Sequence, residues 1–163
     1  MTLLREQDVP GLARLVVEER RALRHLLGRL WDPEAGVRRA AARAVGIAAQ
    51  GHADLGTEIT RRLLWNLNDE SATNGVNGIP ALGEIGREAP DVFAPFVSPL
   101  MAFCEDAGLR VPILDALTRM AEEHPDIVRE HVGYLRTHIP NTDEAAQAAL
   151  ARLDRALGGK HDA

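Results

Sequence analysis

Histidines 124, 131 and 138 recur every seven residues, a regularity that invites a metal site. Seven residues along a helix span about 10.5 Å, too far for two imidazoles to share one zinc ion. Helical zinc ligands sit four apart, as in HExxH, so the spacing argues against metal. His131 instead falls at the register of Ile59 and Phe96 and is expected to pack inward with one ring nitrogen bonded. Cys104, the only cysteine, takes the register of Leu67 and reads as a small buried apolar residue. A nucleophilic thiol needs an electropositive, partly open surrounding, and no histidine neighbours Cys104 in the chain. The pairs Glu18–Glu19 and Glu122–Glu123 are adjacent on helices, so they diverge and lack the convergence of an acid–base couple. NGVNG at 74–78 has neither the spacing nor the lysine of a phosphate-binding loop, and no strand is predicted before it. No catalytic residue, metal ligand or cofactor is assigned.

Two other groups of residues suit recognition better. In WNLNDESATNGVNGIP at 65–80, Gly75, Gly78 and Pro80 postpone the helix expected there. Glycine is costly inside a helix and proline fits best in a first turn. A polar loop of about nine residues should result, and loops on rigid scaffolds often carry function. Trp65 would supply the apolar contact of such a site, with Asn66, Asn68, Asn74 and Asn77 giving directional bonds and Asp69 and Glu70 giving charge. The plainer alternative is a tolerated irregularity in which the asparagines serve as turn residues. Alanine at Gly75 and Gly78 would then change stability slightly. The second group is arginine-rich: Arg20, Arg21, Arg24 and Arg29 on one helix, Arg38, Arg39 and Arg43 on the next. Arg39 and Arg43 lie four apart and project together, toward phosphate or an acidic partner. The preferred reading of the cluster is a solvated surface partly paired with Glu18, Glu19 and Glu34, since exposed charges are individually weak.

These residues sit on a repeat. AVGIAAQGHAD at 44–54 returns as ALGEIGREAPD at 81–91 and as ALTRMAEEHPD at 116–126, offsets of 37 and 35 residues. RHLLGRLWD at 24–32 likewise precedes RRLLWNLND at 61–69, with LMAFCED at 100–106 following. Periods of this length mark stacked supersecondary units. Each copy predicts a first helix ending at Asp32, Asp69 or Asp106, a short turn, and a second helix ending near His52, Ala89 or His124. Leu26, Leu63, Leu100 and Leu135 share one position of the first helices; Leu30, Leu67, Cys104 and Ile139 share another on the same face. Small residues on the second helices, such as Ala41, Ala44, Ala81 and Ala116, should let neighbours approach closely. Asp54, Asp91 and Asp126 look like N-caps of the first helices. A last helix from about Asp143 to Leu157 carries Ala145, Ala149, Leu150, Leu153 and Leu157 on one stripe and stops at Gly158–Gly159. The expected organisation is one all-α domain: a helical cap at 1–16, repeats at 17–52, 53–89, 90–124 and 125–157, and a frayed tail at 158–163.

DPEAGVRRAAARAVG at 32–46 resembles the HEAT-like repeat, in the variant also found in phycobilin lyases. The resemblance covers residues 17–157. It implies a right-handed αα superhelix of about four hairpins, with the second helices lining a concave side. It also implies a ladder in which a turn Asp and an Arg six residues later bond between layers. Asp32 and Arg38 match that spacing, Asp106 and Arg110 match it loosely, and Gly75 stands where the second copy should have its Arg.

The chain has 163 residues, 45% of them hydrophobic but only 4% aromatic, so a core must be filled by Leu, Ala, Val and Ile. Its formal net charge is −5, which disfavours generic polyanion binding. Residues 1–50 hold nine Arg against six acids, and 51–163 hold ten basic residues against eighteen acids. No duplex-DNA affinity is therefore expected. The opening MTLLREQDVPG lacks the features of a secretory signal, and no apolar run approaches the roughly 20 residues that span a bilayer. With a lone cysteine, the expectation is a cytoplasmic protein without a membrane partner. The function expected is a non-catalytic scaffold or adaptor that binds another protein by its concave face and the 65–80 loop. The rival readings are a nucleic-acid binder of the HEAT-like DNA glycosylase type, or an accessory protein for cofactor or pigment attachment.

Overall fold

A computed structural model describes residues 8–68 and 75–158. Every element is helical, and no strand occurs among the described residues. Helix α1 (Val9–Glu18) starts at Asp8, whose carboxylate accepts a hydrogen bond from the Gly11 amide at 2.9 Å, with Pro10 in its first turn. The first pair is α2 (Arg20–Gly28), extended by a 3-10 turn at Arg29–Trp31, and α3 (Ala35–Gln50). The second is α4 (Ala53–Leu67) with α5 (Ile79–Glu88), which a 3-10 turn at Val76–Gly78 leads in.

In the third pair the first helix is broken. It runs as α6 (Pro90–Phe93), a 3-10 turn at Ala94–Phe96, α7 (Val97–Ala102) and another 3-10 turn at Phe103–Glu105, before α8 (Ala107–Ala121). A single first helix is what the repeat predicts. Pro95, which lacks an amide hydrogen and crowds the carbonyl four residues back, interrupts it. In the fourth pair the first helix is again broken, into α9 (Asp126–Arg129) and α10 (Val132–His138) with a turn between them in which the His131 amide reaches the Val128 carbonyl at 3.0 Å, and the second helix is α11 (Glu144–Gly158).

The two predicted leucine rows of the first helices, including Cys104 and Ile139, are buried throughout. The second helices form a file: α1 packs on α3, α3 on α5, α5 on α8, and α8 on α11. Their closeness has a specific cause. A Cβ on Gly46 would lie 2.7 Å from the Glu84 carbonyl oxygen, so α3 and α5 meet backbone to backbone at a residue without a side chain. The same register position on α5, Gly83, brings that helix against the Ala116 backbone of α8.

Two expectations are corrected. Asp54, Asp91 and Asp126 lie inside the first turns of α4, α6 and α9, where they favour the positive end of the helix dipole; the cap positions belong to His52, Ala89 and Pro125. Besides Asp8, the side chains that cap are Asp106, accepting from the Gly108 amide at 2.8 Å, and Asp143, accepting from the Ala146 amide at 3.0 Å. On α11 the buried stripe runs through Ala146, while Ala145 faces solvent. No helix among the described residues is long and apolar enough to cross a membrane.

Candidate partner-binding surface

The turns between paired helices share one device. Arg38 Nη1 donates to the carbonyls of Asp32 at 2.8 Å and Pro33 at 2.9 Å. Arg110, at the equivalent register, donates to the carbonyls of Cys104 at 2.8 Å and Glu105 at 3.3 Å. Gln147 takes the position in the last pair and reaches the carbonyls of Ile139 and Pro140 at 3.2 and 3.4 Å. Each side chain thus satisfies carbonyls that the end of a first helix leaves without an intrahelical partner. The expected Asp32–Arg38 ladder takes a different form: the Arg38 bond goes to the Asp32 backbone. The Asp32 carboxylate accepts from the Glu34 amide at 3.0 Å and from Arg29 at 3.1 Å. A bond between pairs does form at Arg110, whose Nη1 reaches Asp143 at 2.9 Å. The Glu34 amide, with help from Arg29 and Arg38, outweighs desolvation and holds the Asp32 carboxyl below its ordinary range. The Ala146 amide and then Arg110 do the same for Asp143.

Gly75 explains the missing arginine. It is buried, and a Cβ there would lie 2.8 Å from the Asn66 carbonyl oxygen and 3.0 Å from Leu67 Cα. Its own backbone presses on the end of α4 where Arg38 and Arg110 send a side chain. Alanine at Gly75 therefore cannot be nearly neutral, contrary to the reading of an idle loop.

The polar segment is divided by the fold. Trp65, Asn66 and Asn68 belong to the last turn and end of α4, whereas Asn77 belongs to the 3-10 turn before α5. Asp69, Glu70 and Asn74 lie outside the described residues. Trp65 stands on the outer face of α4 and is 76% exposed. Asn66 lines a cleft of about 240 Å³ between α2 and α4, with Arg24, Leu27, Gly28, Trp31, Arg62 and Leu63. Asn77 lines a different cleft of about 220 Å³, with Ala35, Arg38, Arg39 and Pro80. Of the described asparagines, Asn66 and Asn77 thus line separate clefts.

Charge on the second helices follows the register. Glu84 of α5 pairs with Arg119 of α8 at 3.1 Å, and Asp115 of α8 pairs with Arg152 of α11 at 2.6 Å. Arg39 and Arg43 on α3 are exposed and make no ion pair or side-chain hydrogen bond among the described residues. The same holds of Arg21, Arg24, Arg61 and Arg62 on α2 and α4. Among the described residues, arginines without an ion pair are thus concentrated on the first two pairs. Arg62 was not singled out by sequence reasoning, and Trp31 only as the neighbour of Asp32 in the glycosylase alternative. The available signal was the 37-residue register, which sets Gly28 at the position that Trp65 fills in the next copy.

The residues considered for chemistry are placed otherwise. Cys104 is buried, and burial pushes its thiol up to about 12, with Arg110 only partly opposing. His138 stacks on Tyr134 with ring centroids 3.9 Å apart and bonds the Tyr134 carbonyl through Nδ1. His131 is half-buried against Glu130 at 3.2 Å rather than packed fully inward. Among the described residues no group of three or more His, Cys, Asp and Glu side chains is placed to hold a metal ion. No family model, no curated protein and no solved structure matches the chain.

Proposed function

We propose that this protein is a non-catalytic adaptor on a right-handed HEAT-like solenoid, binding another protein through the arginine-rich surface of its first two helical pairs. The file of second helices, each packed on its neighbours in the chain, supports the solenoid reading, because such folds are stabilised by nearest-neighbour contacts. The observation that carries the functional reading is Trp65, exposed on α4 beside Arg61 and Arg62, which have no partner among the described residues. Isolated exposed apolar residues are ordinary. A tryptophan next to arginines is the composition found at interaction hot spots. The loop enters this reading through Trp65, Asn66 and Asn77, and α3 contributes Arg39 and Arg43 on the side that a HEAT-like superhelix would make concave. The glycosylase alternative wants a free acid beside a tryptophan, and the Asp32 carboxylate is occupied by its own turn.

Affinity capture from the source organism tests the proposal, using the tagged full chain and the Trp65→Ala variant. The wild type should retain a reproducible protein that Trp65→Ala loses while remaining folded by circular dichroism. Retention of nothing beyond a tag-only control would overturn it.

A further inference from the structure

The cleft between α2 and α4 has a composition that specifies its occupant. We propose that it seats a short acidic peptide segment bearing one apolar side chain, supplied by the partner protein; the inference rests on the adaptor reading above. Its floor is apolar, from Leu27, Leu63 and the bare backbone of Gly28, where a Cβ would meet nothing within 4 Å. Trp31 forms a wall, and Asn66 offers an amide that can bond extended backbone. The rims are Arg24 from α2 and Arg62 from α4, both exposed and both without a partner among the described residues. The two helices pack on each other only weakly, which leaves the cleft open. The acid that bridges them, Glu58, is already engaged by Arg20 at 2.8 Å.

Guanidinium groups on opposite rims suit carboxylates, which they bind in forked, paired hydrogen bonds. The volume, about 240 Å³, lies below the usual range for small-molecule pockets, roughly 300–1,000 Å³, and suits a single side chain. A nucleic-acid strand fits less well. Phosphate tracking needs a continuous basic path, and this chain carries a net charge of −5 with an acidic remainder. That acidic remainder makes a second copy of the chain the chief rival occupant.

The test is a peptide-display selection on the immobilised full chain, with a random dodecapeptide library and the wild type set against Arg24→Glu/Arg62→Glu. The wild type should enrich peptides with acids flanking an aromatic or leucine, and the double variant should lose them. One enriched peptide is then titrated while tryptophan emission is followed. Trp31 and Trp65 are the only tryptophans, so emission reports this surface. A saturable blue shift is expected, with binding about tenfold weaker for Arg62→Ala. Arg155→Ala, the same loss of charge on α11, should bind as the wild type does. Thermal melts confirm that the variants fold, as exposed positions permit.

No enrichment, enrichment without acids, or equal binding to the double variant would overturn the proposal. Tighter binding of a twelve-nucleotide single strand would overturn it in favour of phosphate. Self-association abolished by the double variant would overturn it in favour of a second copy. Lysate capture that survives Arg24→Glu/Arg62→Glu would sink this seat and leave the adaptor reading standing. Peptide binding with no lysate partner would sink the adaptor reading instead.

Discussion

Arg110 joins three pieces of chain, the carbonyls of Cys104 and Glu105 and the carboxylate of Asp143, and its side chain is only 14% exposed. Its removal strands two carbonyls and a capping acid, so Arg110→Ala should cost about 2–3 kcal/mol in urea unfolding, at the scale of hydrogen bonds to a charged donor. The pH dependence follows from the same residues. Asp32 and Asp143 both have folded-state carboxyls below the ordinary value of 3.8. The unfolded chain then binds more protons as pH falls through and below that value. Their contribution is complete above about pH 4 and is lost as pH falls through the folded-state range. Stability measured from pH 6 down to pH 2 should drop on the acid side, and Asp143→Asn should flatten that slope without changing the plateau's shape. Cys104 gives a third check. With its thiol pushed up to about 12 by burial, it should resist a disulfide reagent at pH 8 in the native protein and react fully in denaturant. Fast native labelling would mean the pocket around it opens.

The elements differ in how they end. At the close of α4 the chain returns with Gly75 against the Asn66 carbonyl, and no side chain fits between. Gly75→Ala should therefore cost about 1–3 kcal/mol by overpacking. Gly28→Ala, at the end of α2 with open space around it, should gain up to about 1 kcal/mol from helix propensity. Paired urea titrations decide both, and equal effects at the two sites would remove the close-approach explanation. The opposite fates of these glycines show where sequence reading reaches its limit. Periodicity makes the helices legible, because Leu26, Leu63, Leu100 and Leu135 must share a face whatever the detail. It marks Gly75 as a departure from the repeat. It cannot say whether the departure leaves a mobile turn or a tight backbone contact, since that depends on a neighbour nine residues back meeting it in space. The broken first helix of the third pair was readable in Pro95, whose effect is local. The break between α9 and α10 has no such residue, and it was not readable. The candidate site was legible by residue type but not by geometry: Asn66 ends α4, Asn77 sits in the 3-10 turn before α5, and they line different clefts.

Across the whole molecule, charge is segregated by pair. From α5 to α11 the second helices are linked by Glu84–Arg119 and Asp115–Arg152, while Arg21, Arg24, Arg39, Arg43, Arg61 and Arg62 of α2, α3 and α4 have no ion pair among the described residues. Such a distribution steers a partner toward one end of the file more than it adds affinity, so association should slow with added salt. It also gives duplex DNA a small footprint on a chain of net charge −5. Filter binding at physiological salt should show no affinity tighter than about micromolar, and a steep salt dependence would contradict this. The measurement closest to the central proposal is hydrogen exchange on the full chain with and without its captured partner. Protection should appear in α2 and in the second half of α4, around Arg24, Arg62 and Trp65, with α8 and α11 unchanged. Protection confined to α8 and α11, with α2 and α4 exchanging as in the free protein, would contradict it.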